Sequence, residues 1–138
     1  MNKRIPPLDL MWLIMETQAS PTHVGALLLF DKPKNNPAVV RQIVDAYRSV
    51  EPTPPFNYVP EAGATGLLHF REATSYDPRY HIQHIALPDE ATYDDLLRLV
   101  ADLHEPMLDR NRPLFRDWII DGVPDSRDRY LFKEQFTT

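Results

Sequence analysis

With 138 residues, 43% of them hydrophobic, the chain is long enough to bury one modest core, as a single domain over residues 1–138. Its net charge of -5 and pI near 5.4 exclude the strongly basic face that nucleic-acid binding needs. The lack of cysteine excludes a disulfide framework and thiol chemistry and fits a cytoplasmic protein, while fourteen prolines against four glycines favour stiff connections.

The start of the chain has the outline of a signal peptide, with Lys3 and Arg4 ahead of the apolar run Leu10–Met15. Pro6, Pro7 and Asp9 interrupt that outline, and the run is too short for a signal core. No stretch reaches the roughly twenty apolar residues of a membrane span. Residues 8–16 read instead as a short helix, apolar on most faces and packed on a sheet. The alternative is a surface helix that dips Met11, Trp12 and Met15 into lipid.

Val24 to Phe30 is a continuous apolar run of strand length, which predicts a buried strand. Asn36 then stands as an N-cap before Pro37 at the first helical position, with Val40, Ile43, Val44 and Tyr47 on one helix face over 37–50. Glu51-Pro-Thr-Pro-Pro stops that helix and holds a rigid loop. Residues 67–71 suggest a short strand. Residues 80–87 suggest another, with Tyr80, Ile82, His84 and Ala86 on one face. Thr92 and Asp95 form a capping-box pattern, and Leu96, Leu99, Val100 and Leu103 make the apolar stripe of a helix over 92–104. Pro106 ends it. Strands over 115–121 and 129–133 flank Gly122-Val-Pro-Asp-Ser as a hairpin. The order β-α-β-β-α-β-β predicts an α/β (α+β) domain with helices packed on a mixed sheet.

Four constellations could carry chemistry. His81-x-x-His84, with His69, has the residue type for metal binding. On a strand, however, residues three apart face opposite ways, so no metal site is expected. His104 could serve as a general base, or could face the C-terminal dipole of its helix, which is the reading preferred. His23 has the same ambiguity. Asp109, Arg110 and Arg112 crowd the turn before Pro113, Leu114 and Phe115. The two guanidinium forks suit either the phosphates of coenzyme A or neighbouring carboxylates, and internal pairing is favoured.

The same residues carry a resemblance. Leu103-His104 followed by Leu108-Asp109-Arg110-Asn111-Arg112-Pro113-Leu114-Phe115 resembles the region before a strand in bacterial wax ester synthase/diacylglycerol acyltransferases, where Pro-Leu-Trp is usual in place of Pro113-Leu114-Phe115. Leu8-Asp9, Glu16-Thr17, His23-Val24-Gly25 and Tyr80-His81-Ile82-Gln83-His84 before Ala86-Leu87-Pro88 are similar in family order. The resemblance runs to about Lys133.

It implies the first part of the N-terminal lobe of a coenzyme-A-dependent, chloramphenicol acetyltransferase-like acyltransferase. The family transfers a fatty acyl group from acyl-CoA, a co-substrate and not a cofactor, to a long-chain alcohol or diacylglycerol. Its His-His-x-x-x-Asp-Gly motif supplies the base that deprotonates the acceptor hydroxyl. Aligning Tyr130-Leu131-Phe132-Lys133 with the family strand puts Gln135 and Phe136 on the two histidines, and a glutamine amide is no base near neutral pH. The resemblance therefore implies an incomplete, truncated and non-catalytic relative, with no catalytic residue or metal ligand assigned. Asp109, Arg110, Arg112, Pro113, Leu114 and Phe115 are family-motif positions without a fixed role. The alternatives are the first part of a working acyltransferase completed by a second segment, or an unrelated lipid- or protein-binding module. The partners implied are acyl-CoA or lipid, with peripheral contact to a membrane or lipid inclusion. A further expectation is homo-oligomerisation through strand 129–135, which would lack its next neighbour.

Overall fold

The computed structural model describes residues 2–124 and 128–137. After a two-residue strand β1 (Lys3–Arg4), Pro7 opens helix α1 (Pro7–Met15), where a missing N–H sacrifices no hydrogen bond. Only Leu13 of this helix is buried; Leu8, Met11, Trp12, Ile14 and Met15 stay exposed. The helix is apolar on most faces, as expected, but its one fully buried side chain is Leu13.

Strand β2 (Val24–Asp31) follows, then α2 (Val39–Arg48), whose Val40 and Val44 are buried. The helix starts two residues later than its sequence suggests. Asn36 Oδ1 accepts from the Ala38 N–H at 3.2 Å, so Asn36 holds a turn ahead of the helix and does not cap it. Strands β3 (Tyr58–Ala62) and β4 (Leu68–Glu72) pair antiparallel and, with β1, form a small sheet ordered β1-β4-β3. Helix α3 (Pro78–His81) is one turn, capped by Asp77, whose Oδ1 accepts from the Arg79 N–H at 3.0 Å. That cap takes Tyr80 and His81 out of the strand expected from 80, so β5 is Ile82–Ala86. Helix α4 (Tyr93–His104) starts with the reciprocal Thr92–Asp95 capping box. Strands β6 (Phe115–Asp121) and β7 (Arg129–Phe136) complete the chain. Gly122, at φ 78°, takes the left-handed backbone needed to turn out of β6. Asp125 and Ser126 of the expected hairpin loop lie outside the described residues.

The main sheet is ordered β2-β7-β6-β5, with β5 parallel to β6 and the other pairs antiparallel. It is therefore mixed, as the element order predicts. Alternation along its strands feeds two clusters. Ile82, Ile119, Tyr130 and Phe132 join Val40 and Val44 of α2 on one face. Trp118, Ile120 and Leu131 join Leu96 of α4 on the other. Leu99, Val100 and Leu103 are half-buried against that second cluster. Burying one such leucine fully contributes about 1.5–3 kcal/mol, so these two faces hold the sheet.

Two expectations are corrected here. Strand β7 is no edge; it is bonded on both sides, by β2 through all eight of its residues and by β6. The edges are β5 and β2, and on β2 the side chains of Val24, Leu27, Leu28, Leu29 and Phe30 are 42–51% exposed. A continuous apolar run had suggested burial, but neither α2 nor α4 reaches far enough to cover this strand on both faces. Among the described residues, no helix is long and apolar enough to cross a membrane.

Candidate functional site

The turn before β6 ties segments together. Arg110 Nη2 donates to the Leu13 carbonyl and lies 3.2 Å from Glu16 Oε1, joining the turn to α1. Glu16 Oε2 accepts from the Thr22 N–H at 3.0 Å, so this buried carboxylate is held from both sides. Arg112 Nε lies 3.4 Å from Asp109 Oδ2, and its guanidinium sits 4.1 Å above the Tyr80 ring. Asp109 Oδ1 also accepts from the Asn111 N–H at 2.9 Å. Both arginines therefore pair with carboxylates, the arrangement favoured from the sequence. Pro113 is buried, Leu114 half-buried, and Phe115 leads into β6.

The histidines are anchored one by one. His104 ends α4, but its ring does not cap the helix. Its own carbonyl accepts from His23 Nε2 at 2.5 Å, so His23 closes the last turn. The two rings meet edge to face at 4.6 Å. Gly25 makes this approach feasible, since a Cβ there would lie 2.8 Å from His104 Cε1 and 3.1 Å from the Glu134 carbonyl oxygen. Burial, helped by Lys133 and His23, holds His104 below the usual histidine range. His81 Nδ1 donates to the Phe115 carbonyl at 2.7 Å, and burial lowers its pKa too. Its partner in the sequence motif, His84, sits on β5 and does not converge with it; no cluster of metal-ligating groups exists among the described residues.

At the end of β7, alternation sends Gln135 and Phe136 to opposite faces. Gln135 is 1% exposed, and its Nε2 donates to the Pro106 carbonyl at 2.8 Å, bolting the strand to the end of α4. Lys133, on the same face, is equally buried, with its ammonium 4.6 Å from the Trp118 ring. Burial brings its pKa down to about 8.

Phe136 looks into the feature that best answers the description of a ligand site, a cavity of about 480 Å³ between the end of α2, the proline loop and the sheet. A second cavity, of about 340 Å³, shares Phe56, Phe115 and Phe136 with the first. The walls are mainly apolar and aromatic. Among them stand Asp117 of β6 and Glu134 of β7, which are direct cross-strand partners. Burial, then the neighbouring Glu134 charge, pushes the Asp117 carboxyl up to about 7. Burial, then Asp117 and Asp77, pushes the Tyr76 hydroxyl up to about 12, so it remains a donor. A carboxyl poised near neutrality among mainly apolar walls can exchange a proton or accept a hydrogen bond from a ligand. Sequence reasoning weighed neither Asp117 nor Glu134 as part of a site. The available signal was the acid in each apolar alternation, Phe115-x-Asp117-x-Ile119 and Phe132-x-Glu134-x-Phe136.

Comparison with known proteins places this architecture. The first condensation domain of the calcium-dependent antibiotic synthetase superposes over 99% of the chain with a TM-score of 0.74 at 18% identity. The fold is thus that of an N-terminal lobe of condensation and coenzyme-A-dependent acyltransferase-like domains. The wax ester synthase/diacylglycerol acyltransferase from Marinobacter aquaeolei VT8 superposes over 98% of this chain and 34% of its own, with a TM-score of 0.87 at 29% identity. The model of the wax ester synthase/diacylglycerol acyltransferase catalytic domain matches residues 5–134, and the chain belongs to that family. Among curated relatives, a probable diacylglycerol O-acyltransferase of Mycobacterium tuberculosis, Tgs4, is 34% identical over 94% of the chain. The O-acyltransferase WSD of Acinetobacter baylyi is 34% identical over 92%. The chain spans 27% of the length of each of these two relatives. The family match ends at Glu134, just before Gln135 and Phe136.

Proposed function

We propose that this segment holds a long aliphatic chain in the manner of its family, in lipid or triacylglycerol metabolism, without itself catalysing acyl transfer. The observation that carries the reading is the pair of apolar cavities meeting at Phe136. Acyl transfer from a thioester to an alcohol needs a base within hydrogen-bond reach of the attacking hydroxyl. The resemblance puts Gln135 and Phe136 at the histidines that would supply it. Gln135 is committed to the Pro106 carbonyl, and Phe136 has no proton to exchange. The ligand class is then a fatty acyl or fatty alcohol chain, met at a membrane surface or lipid inclusion in the cytoplasm, where the exposed apolar residues of α1 would make peripheral contact.

A second reading is favoured by one observation: the chain spans about a quarter of the length of its relatives. Joined to further sequence or to a second polypeptide, it would supply the substrate wall, and the added part the base. Calorimetric titration with decanol tests the first reading. Saturable binding that Phe115→Asp or Phe136→Asp abolishes supports it; no heat of binding with the folded chain overturns it.

A further inference from the structure

We propose that the larger cavity receives an organic cation, the alkylammonium head of a single-chain amphiphile. This rests on the reading that the cavity holds an aliphatic chain and adds what lies at the chain's head. Five of the walls are aromatic: Tyr47, Phe56, Tyr76, Phe115 and Phe136. The faces of such rings carry negative potential and attract alkylated ammonium ions. The charged groups of the lining are all acidic, Glu51, Asp117 and Glu134; no lysine, arginine or histidine joins them. A cleft lined by one sign of charge with low-dielectric walls concentrates ions of the opposite sign.

The carboxylates themselves make the stronger argument. Asp117 and Glu134 stand opposite each other across β6 and β7, at the spacing of about 4.5–5.5 Å between Cβ atoms typical of cross-strand partners. Like charges at that separation oppose one another's ionisation. Elsewhere the molecule neutralises its partly buried acids, as Arg110 does for Glu16. Here no hydrogen bond or ion pair holds either carboxylate among the described residues; Lys133, behind the sheet and against Trp118, offsets the Asp117 charge only in part. A bound ammonium group would relieve both charges at once and present its methyl groups to the rings. The same field rejects a carboxylate head or the phosphates of a nucleotide. A neutral alcohol would gain one hydrogen bond and none of the charge attraction.

The test is calorimetric titration of the full chain at pH 7.5 with hexyltrimethylammonium, hexanol and hexanoate, which share one alkyl length. Hexyltrimethylammonium is expected to bind about tenfold tighter than hexanol, with hexanoate weaker than both. In the double variant Asp117→Asn, Glu134→Gln, both near-isosteric, that preference should vanish while hexanol binding persists. Thermal melting checks that the variant is folded. Equal affinity for hexyltrimethylammonium and hexanol, or a double variant that keeps the preference, overturns the assignment of the head group alone. Failure of both to bind overturns the chain-holding reading and this proposal with it.

Discussion

Replacing Asp117 by asparagine should stabilise the protein, and increasingly so as the pH rises. Burial and Glu134 raise its folded pKa from 3.8 to about 7. Between those values the folded state keeps a proton that the unfolded chain has released. The group's contribution is therefore fully present below about pH 4 and is lost as pH rises through 7. A shift of about three units corresponds to about 4 kcal/mol at full burial. Water entering the adjoining cavity reduces that, to about 2–4 kcal/mol. Asparagine mimics the protonated acid and has nothing to lose. Urea midpoints of wild type and Asp117→Asn should coincide near pH 4 and diverge to pH 8, the variant ending about 2–4 kcal/mol more stable at unchanged m. Parallel pH profiles, or a variant less stable at pH 8, would refute the raised pKa and the buried, like-charged environment that explains it.

Other outcomes follow from the packing and the strand order. Gln135→Ala should cost about 1–3 kcal/mol by emptying a site that is 1% exposed and breaking its hydrogen bond to the Pro106 carbonyl, readable as a lower denaturant midpoint. Leu96→Ala should cost about 2–5 kcal/mol, and Leu103→Ala distinctly less, because Leu96 is buried and Leu103 only half-buried; equal losses would contradict the α4 packing. The free edge and exposed apolar residues of β2 support a two-fold dimer by antiparallel pairing of β2 with its copy. Light scattering at micromolar concentration should report twice the monomer mass and return to the monomer mass in Leu28→Lys; a wild-type monomer would rule the dimer out.

Much of the fold was legible because its signals are local. The Thr92–Asp95 capping box and the leucine stripe define α4 without reference to anything distant. Strands β6 and β7 announce themselves by alternation on either side of a turn. Strand β3 was hidden because Pro60 argues against a strand, and only pairing with Phe70 of β4 reveals one. The one-turn α3 was masked by the apolar run that follows it, although Asp77 before Pro78 is an N-cap pattern. The apolar run of β2 reports what the strand is made of, not whether neighbours cover it. The candidate site was the least legible part. Asp117 and Glu134 lie 17 residues apart, and only the β6–β7 register sets them face to face above Phe136. The basic turn drew attention by charge density, which internal pairing accounts for.

The central claim is that these residues form the chain-holding part of an acyltransferase of this family without its catalytic base. Incubating the purified chain with palmitoyl-CoA and hexadecanol, and following free thiol and wax ester together, tests it most directly. The account predicts neither product above the protein-free control. Turnover that rises with protein concentration would contradict it and require another group, such as His81 or Asp117, to take the hydroxyl proton.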